Sequence, residues 1–456
     1  MSTTPRSIAI LGAGVTGLVA AHRLHQLGHR VRVFEQSSRA GGVVRTEETE
    51  GWLIEAGPNS LLTGEPALES LIQELGLSGE VVPANPAARN RYIVHRGRLV
   101  AAPLSPGALV RSCLFSITGK VGIVSELLTR PRVRSTDISL AEFIRGHFGQ
   151  EFVERALNPM VSGVYAGNPT RLSARYAFPK LWEMEQRKGS LLRAQIAQAK
   201  ERRTRGEAAP STISFRHGLE TLIQALVNRL PDGCIAFNAS LDAITPGDKK
   251  WNVIWNQADT THTQSFDAIV IALPAHALAR LRIGSLGERP LAALDGVEHP
   301  PLSSLFLGFK RDQIAHPLDG FGVLVPSGEK RSILGTLFSS TLFPHRSPDG
   351  HVALTVLIGG TRQPELASLP LARLLSVAMK DLSDLLGIVG DPQFVRHTLW
   401  PKAIPQYNLG HEQYLASIAQ LERVQKGLFV GGQARDGISL PACVTAGEKL
   451  ARRCIL

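Results

Sequence analysis

Near the start of the chain an unbroken apolar run, Ile8-Ala9-Ile10-Leu11, gives way to apolar residues at a different period, Leu18, Ala21, Leu24 and Leu27, closed by Gly28. The unbroken run predicts a strand buried on both faces, and the longer spacing predicts a helix packed along one side. Val31-Arg32-Val33-Phe34 is a second strand, ending at Glu35. The buried-strand pattern returns far downstream, at Phe266–Ala272 before Pro274 and at Leu428-Phe429-Val430, with a helix expected from about Pro441 to Arg453. In between, Pro83, Pro86, Pro103 and Pro106 punctuate short segments and helical patterning sets in at Leu140. Leu305–Phe309 and Val352–Leu357 read as strands of a later layer. One sheet is therefore expected to be assembled from separated stretches, with other layers inserted between them.

Between the first strand and helix lies Gly12-Ala13-Gly14-Val15-Thr16-Gly17. In such a unit the first glycine makes the tight turn and the second lets backbone approach a pyrophosphate. The third lets the helix pack close to the sheet, with the phosphates at its positive N-terminus. Glu35, followed by Gln36, stands where a carboxylate accepts hydrogen bonds from a ribose. A bound dinucleotide is expected.

Past the second strand come Arg39-Ala40-Gly41-Gly42-Val43, Arg45 and then Gly57-Pro58-Asn59-Ser60. The far end adds Gly431-Gly432 and Ile438-Ser439-Leu440. Together these resemble the two flavin half-sites of the FAD-dependent amine oxidase and phytoene desaturase superfamily. The resemblance implies non-covalent FAD, with Arg39, Gly42, Val43 and Arg45 at the pyrophosphate and ribityl chain. It also implies that Gly57 to Ser60, Leu241, Trp400, Gly432 and Ile438 to Leu440 face the cofactor. The expected fold class is α/β: a discontinuous Rossmann-like FAD-binding domain (1–80, 206–290 and 422–456), a helical domain (81–205) and a mixed-sheet substrate domain (291–421).

With 456 residues, 43% hydrophobic and 20% charged, the chain fits two or three soluble globular domains. No segment reaches the roughly 18 apolar residues of a membrane span. The first strand follows so soon after Met1 that neither signal nor transit peptide is expected. Cys113, Cys234, Cys443 and Cys454 are scattered, which suits a reducing cytosol. The formal charge of +11 gathers at Arg89 to Arg98 and at Arg187 to Arg205. Such runs are either solvated helix ends or contacts for an anionic membrane or substrate, and no nucleic-acid motif accompanies them. Leu104 to Val133 mixes apolar residues with Arg111, Lys120, Arg130 and Arg132, and reads equally as an interfacial anchor or as ordinary helix packing. Nucleophile elbow, zinc-helix and phosphate-loop motifs are all missing, so redox chemistry falls to the cofactor, and neither a catalytic side chain nor a metal is named.

The middle of the chain narrows the resemblance. Pro159-Met160-Val161-Ser162-Gly163-Val164-Tyr165-Ala166-Gly167-Asn168-Pro169, Ala177-Phe178-Pro179-Lys180-Leu181-Trp182, Gly320 to Ser327, Leu334 to Ser340 and Ile404-Pro405-Gln406-Tyr407 resemble the protoporphyrinogen oxidase family, in its plant and mitochondrial type. That resemblance implies a porphyrinogen substrate, six-electron oxidation, molecular oxygen as acceptor and hydrogen peroxide as product. It assigns Arg91 to a substrate propionate, Gly163 to the substrate ring, and Phe321, Leu324 and Leu337 to apolar walls. Leu357 stands where the plant pattern has a phenylalanine. Read alone, Arg91 is also an ordinary surface arginine, and the apolar residues are ordinary core. Coproporphyrinogen oxidation is the neighbouring alternative, and a non-catalytic FAD-containing binding protein is the alternative of another class. A cytoplasmic protein is expected; peripheral membrane contact and a homodimer stay open.

Overall fold

The computed structural model describes residues 4–285 and 287–455; Met1–Thr3, Leu286 and Leu456 lie outside the described residues. A five-stranded parallel sheet runs in the order Ile235–Ala236, Arg30–Phe34, Ser7–Leu11, Ala268–Ile271, Leu428–Val430. Ile8, Ile10 and Val270 face the first helix (Val15–Gln26) and the last helix (Leu440–Ile455). Ala9, Leu11, Ile269 and Ile271 face the other way, into a core shared with Val253 and Phe266 of an antiparallel layer formed by Ser240–Pro246, Trp251–Gln257 and Thr260–Phe266. Burial on both faces is why these strands read as unbroken apolar runs. The strand expected over Phe266–Ala272 is divided at Asp267. Its carboxylate accepts the Ser7 amide at 2.7 Å, so Phe266 closes the antiparallel layer and Ala268 opens the central strand.

A second, seven-stranded sheet has the order Phe394–Trp400, Leu302–Lys310, His351–Gly359, Ile333–Leu337, Gly320–Leu324, Asn90–His95, Arg98–Ala101. Its last two strands correct the expectation of a helical 81–205. They form a hairpin around Arg96-Gly97, both at positive φ (53° and 74°), the geometry of a tight two-residue turn. Gly320–Leu324 then pairs with the hairpin in parallel. One face of the sheet buries Leu305, Leu307 and Val356 against Leu374 and Leu382 of the helix Leu371–Leu386.

The helical layer gathers around Phe143, Trp182 and Leu191. Its helix Leu140–Phe148 starts with a reciprocal Ser139/Glu142 cap, which satisfies two end amides. In the segment 104–133, Leu114, Phe115 and Ile123 turn into this core. Ile117, Val121, Val124 and Leu128 form a stripe at helical spacing that is 56 to 81% exposed. No helix among the described residues is long and apolar enough to cross a membrane.

Candidate functional site

The glycine turn is built by packing. At Gly12 (φ +99°) a Cβ would lie 2.8 Å from the Ala272 carbonyl oxygen, and at Gly17 it would lie 1.9 Å from that of Gly12. At Gly14 nothing lies within 4 Å. Two glycines thus serve close approach of protein to protein, and the third leaves open room. The first helix carries no side-chain cap, so its leading amides remain available to an anion in that room. The second glycine pair abuts the first: Gly41 donates to the Ala13 carbonyl at 2.8 Å and bridges to Gly14. These features fit the diphosphate of a dinucleotide.

A cavity of about 600 Å³ opens at the carboxyl ends of the parallel strands. Gly12, Gly14, Val15, Thr16, Glu35 and Gln36 line it, with Gly42, Val43, Leu241 and Leu440 opposite. Glu35 Oε2 accepts the Ala13 amide at 2.9 Å, and Oε1 accepts the Ser37 amide and hydroxyl at 2.9 and 2.8 Å. The other expected cofactor residues do not line this cavity. Ala13 and Gly17 form its backing. Arg39 is a brace: its guanidinium donates to the carbonyls of Ala40, Val44 and Gly42 at 3.0, 3.0 and 2.6 Å, which commits it to the glycine loop. Arg45 is exposed, and its carbonyl accepts the Ala56 amide at 3.0 Å.

Gly57 to Ser60 and Trp400 come together beyond the cavity. Trp400 Nε1 donates to the Ala56 carbonyl at 2.8 Å, and a Cβ on Gly57 would lie 3.8 Å from the indole and 2.0 Å from the Val43 carbonyl. Arg346, wholly buried, donates to the Asn59 carbonyl at 2.7 Å and to Ser214 Oγ at 3.1 Å, with Glu55 Oε1 at 3.4 Å. Burial pushes the Glu55 carboxyl up to about 7, against the pull of Arg346 and the Leu219 amide. At the far end Gly432 (φ +95°) donates to Asp436 at 2.8 Å, and Ser439 caps the last helix at the Ala442 amide, between Ile438 and Leu440. Thr16 Oγ1 donates to the Cys443 carbonyl at 3.1 Å, tying the two cofactor-side helices together.

Sequence reasoning missed His276, Arg280 and Gln433, which also line the cavity. Burial, then the neighbouring His299, brings the His276 imidazole down to about 4, so it is neutral at physiological pH. The signal was available: ligands sit at the carboxyl ends of parallel strands, and residues 272–281 follow Ile271 directly.

The expected substrate residues converge through strand register. Leu324 pairs with Gly335, Gly335 with Leu357, Leu357 with Ser304 and Ser304 with Thr398, two positions before Trp400. Gly322 pairs with Leu337 on one side and Arg91 on the other. Directly paired residues share a face, so Arg91, Leu324, Leu337, Leu357 and Trp400 stand on one side of the sheet. Phe321 sits in the irregularity between Gly320 and Gly322, its ring centroid 5.1 Å from the Arg91 guanidinium carbon. Arg91 has no acidic partner among the described residues, whereas Arg396 on the same face is paired with Glu47. Gly163, on the helix Asn158–Tyr165, abuts Leu324 so closely that a Cβ would lie 2.3 Å from its Cδ2. Among the described residues no cluster of acids, histidines or cysteines could hold a metal.

Residues 15–455 match the family described as flavin containing amine oxidoreductase. The chain belongs to that family. It is therefore an FAD-dependent oxidoreductase, and the glycine turns and cavity are the parts that would hold the cofactor. It is 32% identical to protoporphyrinogen oxidase 2, chloroplastic/mitochondrial, of Arabidopsis thaliana, over 98% of this chain and 93% of that one. It is 27% identical to coproporphyrinogen III oxidase of Staphylococcus aureus, over 99% of each. A crystal structure of a candidate protoporphyrinogen oxidase from Exiguobacterium superposes with a TM-score of 0.84 at 23% identity, covering 99% of both chains.

Proposed function

We propose that this enzyme oxidises protoporphyrinogen IX to protoporphyrin IX, passing six electrons in three two-electron steps to three molecules of oxygen, with three of hydrogen peroxide formed. When bound, FAD supplies the two-electron chemistry. The protein's own residues bind and orient. The observation that carries the reading is Arg91, without an acidic partner among the described residues, at the edge of an apolar sheet face formed by Leu324, Leu337 and Leu357, closed by Trp400 toward the flavin loop. A flat macrocycle matches the apolar face, and a guanidinium matches a propionate at its rim. A ring with two carboxylates asks for fewer cations at its rim than a tetrapropionate ring does. Sequence identity points the same way, at 32% against 27%.

The experiment is a paired assay of the purified holoenzyme with protoporphyrinogen and coproporphyrinogen, following porphyrin fluorescence and peroxide together. Preferred turnover of protoporphyrinogen with three peroxides per porphyrin supports the reading. Preference for coproporphyrinogen overturns the substrate, and porphyrin without peroxide overturns the acceptor.

The same proposal includes a peripheral membrane site in a cytoplasmic protein. Ile117, Val121, Val124 and Leu128 present an outward apolar stripe, and Lys120 and Arg130 lie beside it in sequence.

A further inference from the structure

Ile404-Pro405-Gln406-Tyr407 has no part in the site as described so far, yet Gln406 and Tyr407 are 2 and 5% exposed and both side chains are engaged at fixed points. Tyr407 donates its hydroxyl proton to the Gln433 carbonyl at 2.7 Å and accepts the Gly437 amide at 3.0 Å. It therefore spans the turn that opens on Gly432, where Gln433 lines the cofactor cavity and Ile438 follows. Gln406 turns the other way. Its Nε2 donates at 2.9 Å to the carbonyl of Tyr165, the last residue of the helix that carries Gly163, and at 2.9 Å to Ile404. A Cβ on Gly167 would lie 2.3 Å from Gln406 Oε1, so the amide is wedged against the chain leaving that helix.

Adjacent residues therefore grip the two sides of the site: one the flavin turn, the other the end of the substrate helix. The segment between them has little freedom. Pro405 fixes its φ, the Tyr407 ring stacks on His411 at 4.0 Å, and the Tyr407 carbonyl accepts the Ser173 amide at 2.8 Å. A displacement of either side cannot be absorbed by slack in the strap.

We propose that Gln406 and Tyr407 are a pair of positioning residues that couple the flavin turn to the helix bearing Gly163, so that seating FAD sets the depth of the substrate wall. The proposal deepens the porphyrinogen reading and rests on it for the meaning of that wall. Both residues act through others; neither is placed against the reacting atoms.

The test uses the full chain with and without FAD, comparing wild type, Tyr407→Phe and Gln406→Met. Each variant keeps the shape of the side chain and removes its hydrogen bonds. Tyr407→Phe is expected to bind FAD about tenfold more weakly, through loss of two partly buried hydrogen bonds. Gln406→Met is expected to bind FAD within about twofold of wild type, since Gln406 does not line the cavity and its own hydrogen bonds run to Tyr165 and Ile404. In wild type, FAD should slow amide hydrogen exchange across residues 158–168, and in Gln406→Met that slowing should vanish while FAD remains bound. Porphyrinogen-driven bleaching of the flavin should be slower in Gln406→Met at unchanged FAD occupancy. Exchange at 158–168 that ignores FAD in wild type, or responds equally in Gln406→Met, overturns the coupling. So does a Tyr407→Phe variant that melts earlier but binds FAD as wild type does. A wild-type protein that oxidises neither porphyrinogen refutes the functional reading instead, and the exchange and FAD titrations still judge the coupling.

Discussion

The Glu35 carboxylate accepts the Ala13 amide at 2.9 Å, so the acid at the end of the second strand holds the glycine turn as well as lining the cavity. Glu35→Ala should therefore weaken FAD binding twice over, through lost ribose contacts and a loosened turn. The expected loss is about tenfold to a hundredfold, with the fold intact. Glu35→Gln keeps one acceptor oxygen and replaces the other with an amide donor, so it should fall between. FAD titration followed by fluorescence quenching decides; unchanged affinity in Glu35→Ala would reduce this residue to a strand-end carboxylate.

Arg91→Ala is expected to lower kcat/KM for the porphyrinogen by about tenfold to a hundredfold, with FAD content and melting temperature near wild type. Arg91→Lys keeps the charge but loses the fork, and should sit nearer Ala than wild type. A rise in KM alone marks a contact made equally in ground and transition states. Wild-type kinetics in Arg91→Ala would remove this residue from the site.

Gly163→Ala places a methyl where Leu324 Cδ2 now lies, at 2.3 Å. Leu324 is the side chain able to give, and it gives into the substrate face. We expect kcat/KM to fall about tenfold from overpacking, and Gly163→Ala/Leu324→Ala to recover most of it. FAD affinity should not change in either. Absence of rescue would show that the helix, rather than Leu324, has moved.

Glu55 has its carboxyl raised to about 7 by burial beside Arg346. A raised folded-state value means the proton is bound more tightly in the folded chain. The stabilisation from that proton is complete below about 4.5 and is lost as pH rises through about 7. Across that window wild type should lose stability relative to Glu55→Gln, which carries no ionisable group there, by at most roughly 3 kcal/mol. Chemical denaturation of both proteins between pH 4.5 and 8 measures the difference; parallel curves would show that Glu55 ionises as an ordinary carboxyl.

Wild-type protein should float with anionic vesicles at low salt, and Ile117→Asp/Val121→Asp should float about tenfold less, since both residues lie on the exposed stripe. Turnover in solution should be the same for both. Protein that stays at the bottom of the gradient in either form would end the membrane proposal.

The first β-α-β unit was legible because every level agreed: strand runs, glycine spacing, helix period and the terminal acid all fall within 35 residues. The hairpin at Arg96-Gly97 was missed because arginine is an unusual occupant of its left-handed position, so the turn carried no glycine pair or Asn-Gly signal. Family resemblance named Leu324, Leu337, Leu357 and Trp400 singly. That they share a face depends on register across five strands, including the shift at Ile333/Gly335, which no local pattern specifies. Arg346 was invisible for another reason: a buried arginine is identified only by the acid and carbonyl it meets, and these come from positions 55 and 59.

The last strand, Leu428–Val430, joins the sheet at Ala268–Ile271, and the final helix packs across the first. The cradle that opens at Gly12 is thus closed by a strand and a helix that lie far along the chain from it, Leu428–Val430 and Leu440–Ile455. A nascent chain holds the facing side of the first helix uncovered until Leu440–Ile455 is made, and the entropy of closing so long a loop opposes early docking. Cofactor capture then waits for Leu440–Ile455, and premature termination before that helix yields a chain that exposes the apolar side of Val15–Gln26 to aggregation or to proteolysis.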